Sequence, residues 1–388
     1  MRLLPILALF PLAALGSSSV SVLTNWVLPT ERNFSLLPQE RTTPVVFGDT
    51  LYLGRLTGEL TAVHRVDGYV LWRKQLSGPI DGCLSFARSK IFVGDTNGTL
   101  YALNARDGSE IWKYKARSEW LAPVATPRDY VVAQSSDSLV VALSESTGKE
   151  LWQFSHRGDE KMSVRGTSSP AVFANTDVLV GFSDGFAVSL SLATGAAQWE
   201  KRLRVKERFY DIEGSPLVDE LSVTFSTYDG RTVRLNRLTG ETEWTFGVGS
   251  YGGFLVEGDT LYFSGLDGVF YALDKNLGAV KWTVSIEGGF GLTPVRVGKW
   301  VVVSTAADPV HVIDPEAKRV VATVSLGTGA LSSISAGNDG SWYVVSNYGN
   351  VFSFTFSSLV SAFDFPAIHC IPTAVERYCD RSQPKRPA

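Results

Sequence analysis

The sequence has 388 residues, 44% of them hydrophobic and 19% charged, with 36 glycines and 10 tryptophans. That is more chain than one compact core usually holds, and nothing in it reads as disorder, so several domains or a repeat are expected. A net charge of −3 with no basic stretch in the body argues against nucleic acid, whose binding rests on Lys and Arg neutralising phosphates.

The N-terminus reads as an export signal over residues 1–16. Arg2 supplies the positive end, Leu3 to Leu15 are apolar apart from Pro5 and Pro11, and Ala14 to Gly16 offer small residues at cleavage spacing. The apolar run is too short and too broken to span a bilayer.

A repeat then organises residues 20–356. "GELTAVHRVDGYVLW" (58–72) is matched by "GTLYALNARDGSEIW" (98–112) and "GVFYALDKNLGAVKW" (268–282), with further copies ending at Trp152, Trp199 and Trp244. Each copy alternates through β-forming residues, turns at "DG", "TG" or "LG", and runs into a Trp, the pattern of an antiparallel hairpin. A seventh copy, "DPVHVIDPEAKRVVA" (308–322), carries Lys318 where the turn glycine should stand and Ala322 where the Trp should stand. Upstream of each hairpin lie two more strands, the first often opened by proline, as at Pro44, Pro123, Pro170, Pro216 and Pro294. Four strands per repeat predict an all-β fold, a β-propeller of four-stranded antiparallel blades.

An eighth blade is begun by "SWYVVSNYGNVFSF" (341–354), which stops before a Trp. The missing strand is available at "VSVLTNWVL" (20–28), which ends near Trp26, so the N-terminal strand is expected to close the ring. Trp26, Trp72, Trp112, Trp152, Trp199, Trp244 and Trp282 are then packing residues between neighbouring blades, each with large apolar area and one donor to satisfy.

Three connectors are long, Trp26 to Pro44, Trp152 to Pro170 and Trp199 to Pro216, and the last two are consecutive. Equivalent connectors leave a propeller on one face, and loops on a rigid scaffold are where binding is usually placed. The first of the consecutive pair ends in "MSVRGTSSP" and the second in "YDIEGSP", which sets Arg165 beside Asp211 and Glu213. The spacing admits two readings: an ion pair locking the loops, or a partner site of Met162 and Val164 exposed beside an arginine and two carboxylates.

Residues 357–388 form a tail without the blade period. Its Cys370 and Cys379 could close a small loop in an oxidising compartment, leaving Cys83 unpaired, or all three could remain thiols. No cysteine or histidine spacing fits a metal site, and His64, His156, His311 and His369 lie in different parts of the chain. The "TGxxxW" motif resembles the docking repeat of quinoprotein dehydrogenases, which bind pyrroloquinoline quinone and calcium. Their adjacent-cysteine disulfide is absent here, and fold alone carries no activity. A secreted quinoprotein-like enzyme or ligand binder is the alternative reading.

"SVRGTSSP" followed one blade later by "YDIEGSP" resembles the outer-membrane protein assembly factor BamB family, over nearly the whole chain from Trp26 to Phe354. The resemblance implies an eight-bladed, monomeric, non-enzymatic scaffold without cofactor. It implies a periplasmic location and docking on the POTRA domains of a BamA-like insertase, in support of unfolded outer-membrane β-barrel proteins. By position it assigns Met162, Val164, Arg165, Asp211 and Glu213 to the partner contact. BamB proteins usually carry an acylated cysteine after the signal. Ser17 stands at that place, so membrane association is expected through the partner and not through a lipid.

Overall fold

The computed structural model describes residues 20–30, 39–156, 168–203 and 211–357. These form thirty-one strands in eight antiparallel sheets, with no helix among the described residues. In the first blade Val45–Phe47, Thr50–Gly54, Glu59–His64 and Val70–Gln75 lie side by side in chain order from the axis outward. Its two middle strands are buried on both faces, because each blade is sandwiched between two others; their sequences are accordingly almost continuously apolar. The outermost strand alternates half-buried and exposed residues, as a rim strand must.

Seven sheets have four strands. In the third blade the innermost strand shrinks to a bridge between Ala125 and Val132, leaving Tyr130–Gln134, Leu139–Ser144 and Glu150–Ser155. The last blade is completed from the other end of the chain, as the sequence predicts. Ser21–Leu28 pairs antiparallel with Val351–Ser357, from Ser21 opposite Ser357 to Leu28 opposite Val351, with a bulge between Thr24 and Trp26. The closure leaves no unpaired strand at the seam between chain ends.

The recurring tryptophans dock each blade on the next. The indole Nε1 of Trp72 donates to the Ala105 carbonyl (3.2 Å), Trp112 to Glu145 (2.9 Å), Trp152 to Leu192 (2.7 Å), Trp199 to Arg237 (2.7 Å) and Trp244 to Lys275 (3.1 Å). Trp26 does the same across the closure, to Arg65 (3.0 Å). The ring lies flat on the turn glycine of the receiving hairpin. At Gly148, with φ +69°, an added Cβ would sit 2.6 Å from the Trp112 ring, so the position needs glycine for both its backbone angle and its missing side chain.

The degenerate seventh repeat interrupts this chain of contacts. Lys318 keeps the left-handed turn, at φ 56°, but brings a side chain to the place where an indole would rest. Trp282 makes no docking hydrogen bond among the described residues and packs instead within its own blade against Tyr262 and Phe270, each 5.8 Å away. At the next seam, where Ala322 replaces the tryptophan, Trp300 faces Phe356 at 6.3 Å and the Asn347 amide donates to the Ala306 and Thr328 carbonyls. Ion pairs reinforce other seams: Arg65 with Asp339 (2.6 Å), Lys90 with Glu145 (2.9 Å) and the buried pair of Arg237 with Asp177.

Candidate functional site

The two consecutive long connectors join the third blade to the fourth and the fourth to the fifth. Met162, Val164 and Arg165 lie outside the described residues, as do Cys370 and Cys379; the ends of both connectors are described. Ser168 Oγ donates to the Gly214 carbonyl at 2.8 Å, tying the end of the first connector to the end of the second. Ile212 N donates to Phe182 O (3.2 Å), and the Ile212 side chain fills the space over Gly181, where a Cβ would meet it at 2.2 Å. At the start of the first connector His156 Nε2 stands 2.9 Å from Asp184 Oδ2, and its ring stacks on Phe182 at 4.8 Å. The bond to Asp184 raises the imidazole's pKa above its ordinary value. The roots of both connectors are therefore fixed to one wall of the ring.

Asp211 and Glu213 sit differently from a pair of exposed carboxylates. Asp211 is fully buried and Glu213 is 5% exposed. Glu213 turns toward the ring axis, where it lines a cavity of about 200 Å³. All eight connectors contribute to that cavity, through Arg41, Asp81, Leu121, Ser169, Glu213, Tyr251, Leu292 and Ser333. Burial, and then the neighbouring Asp211, push the Glu213 carboxyl up to about 8, with Arg41 acting in the opposite direction. Glu213 Oε1 has no hydrogen-bond partner among the described residues. The spacing argument missed this inward turn because it fixed the place of the residue along the chain and not the direction of its side chain.

Arg41 was missed as well, since no motif surrounds it. A positional signal existed, however: Arg41 and Glu213 each stand three residues before a blade-opening proline, Pro44 and Pro216. Asp81 and Tyr251 occupy the corresponding place before Leu84 and Phe254. In these four blades the ring brings this offset to the axis.

Among the described residues no group of three His, Cys, Asp or Glu side chains lies close enough to hold a metal ion. No helix there is long and apolar enough to cross a membrane. Cys83 is a free, buried thiol.

Comparison with known proteins fits this architecture. The family model described as outer membrane protein assembly factor BamB matches residues 56–284, more than half of the chain. The BamB of Legionella pneumophila (strain Paris) is 36% identical over 337 residues, covering 85% of this chain and 87% of that protein. Among solved structures, BamB from Moraxella catarrhalis superposes with a TM-score of 0.74 at 20% identity, over 87% of this chain and 100% of that one. Quinohemoprotein alcohol dehydrogenase from Comamonas testosteroni shares the fold at a TM-score of 0.68 and 14% identity, over 92% of this chain and 79% of that one. At that identity the likeness is one of fold alone. The eight-bladed ring, its strand closure and the extent of the match to the Legionella protein place the chain in the outer membrane protein assembly factor BamB family.

Proposed function

We propose that this protein is a non-enzymatic periplasmic scaffold that docks on the POTRA domains of a BamA-like insertase and supports assembly of outer-membrane β-barrel proteins. Family membership over most of the chain is the observation that carries the reading. Met162, Val164 and Arg165 are the proposed contact residues, apolar and basic positions on a connector whose described ends are fixed to one wall of the ring, with an arginine of the kind that dominates many interfaces. The bond from Ser168 to Gly214 supports the idea that the two connectors act together. Buried as they are, Asp211 and Glu213 are assigned a positioning role at the root of the second connector and not a direct contact.

The test is capture of the full-length chain by immobilised POTRA domains. Arg165→Glu should abolish capture while leaving the circular dichroism spectrum and melting temperature unchanged. Capture at the wild-type level by that variant would remove Arg165 from the interface.

A further inference from the structure

The axial cavity contains chemistry that docking does not use. Arg41 is the only cationic side chain lining it, and its guanidinium makes no hydrogen bond or ion pair among the described residues. Tyr251, half-buried and tilted against Phe290 at 4.9 Å, has no partner for its hydroxyl among the described residues either. Thr43 Oγ1 accepts from Ser333 N at 3.0 Å, which leaves its own proton to donate. Glu213 is 5% exposed, with Oε1 unpartnered among the described residues. Leu121, Leu292 and Leu331 supply an apolar side. Arg41, Thr43 and Tyr251 are half-buried and present donors to the cavity, whereas Glu213 Oε1, buried without a partner among the described residues, is costly unless something pairs with it.

We propose that the axial cavity is a binding site for a small organic carboxylate, held by the Arg41 guanidinium with Tyr251 and Glu213 as donors and its apolar part against the leucines. Arginine presents a planar fork that matches a carboxylate in bidentate fashion. Asp211, just before its strand, Arg41, from the connector into the first blade, and Tyr251, from that into the sixth, interact with Glu213, and Asp81, from the connector into the second blade, lines the same cavity and interacts with Tyr251. Burial and Asp211 keep the Glu213 carboxyl protonated through neutral pH, so it can donate to an anion. Asp81 already has an interaction of its own and is not required as a ligand. A cavity of about 200 Å³ suits an acid of roughly the size of benzoate.

The probe is benzoate, titrated into the full chain by calorimetry, with benzylamine as a cation of the same shape. Benzoate should bind saturably at one site, and its affinity should fall about tenfold between pH 7 and pH 9 as Glu213 ionises. Arg41→Gln should weaken binding at least tenfold. Glu213→Gln, whose amide still donates, should bind within a few-fold of wild type and lose the pH dependence. A short acetylated peptide with a free C-terminus, compared with its amide, separates a polypeptide end from a free acid: tighter binding of the peptide acid assigns the carboxylate to a chain terminus. A cooperative melting transition and an unchanged circular dichroism spectrum establish that each variant is folded. Binding of benzylamine in preference to benzoate, wild-type affinity in Arg41→Gln, or no binding of either carboxylate would overturn the proposal.

Discussion

Replacing Trp26 with alanine tests whether the N-terminal strand is an integral stave of the ring. The side chain is half-buried, packs over Gly68 and donates to the Arg65 carbonyl. Arg65 O also accepts from the Tyr343 hydroxyl at 3.2 Å, so it keeps a partner when the indole is removed. The hydrogen bond therefore accounts for about 1 kcal/mol of the loss. Large aromatic to alanine changes in full cores cost about 3–5 kcal/mol, and partial exposure puts this site near ~3 kcal/mol. The better-buried Trp152, 8% exposed with a 2.7 Å bond, should cost about 4 kcal/mol on the same scale. Urea unfolding followed by tryptophan fluorescence and circular dichroism measures both. A Trp26→Ala loss below about 0.5 kcal/mol, alongside a full loss for Trp152→Ala, would refute the closure as a stabilising element, because an exposed strand tolerates such a change freely.

Three further outcomes follow from buried groups. The Glu213 carboxyl is raised in the folded state from an ordinary 4.5 to about 8, so folding is penalised progressively as pH rises from about 4.5 through 8. Glu213→Gln should remove a penalty of about 3 kcal/mol at pH 7, and the difference from wild type should vanish near pH 4; a difference that did not grow with pH would contradict the assignment. Arg237 pairs with buried Asp177 and lies 4.1 Å over the Phe173 ring, so Arg237→Met should cost about 3–5 kcal/mol in denaturant unfolding, and an added Asp177→Leu should recover part of it. Cys83 is fully buried and its thiol is pushed up to about 12 by burial, so iodoacetamide should label it only at the rate of unfolding; fast labelling of the native protein would show an opening at this site.

Much of the scaffold was legible because its determinants are local and repeated. A hairpin glycine and a tryptophan at fixed separation encode both the turn and the seam, and the orphan strand around Trp26 had one vacancy to fill. The tryptophans outside the repeat, Trp120, Trp300 and Trp342, were not legible as core. Their burial depends on which connector or strand of a neighbouring blade meets them. The carboxylates of the second connector were misread for a related reason. A charged residue in a loop is ordinarily solvated, and only the convergence of eight connectors on one axis puts Glu213 out of water.

The seventh blade gives the ring a direction of failure. From the last blade round to the sixth, each blade is hooked to its successor by an indole, so strain at one seam is shared with the next. The hooks are missing on both sides of the blade that carries Lys318 and Ala322, where contacts such as Trp300 with Phe356 and the Asn347 bridge stand instead. Pulled apart or heated, the circle should part beside this blade first. It would then open as a single arc that still carries both consecutive long connectors in register, so the proposed docking face could outlast the integrity of the ring that displays it.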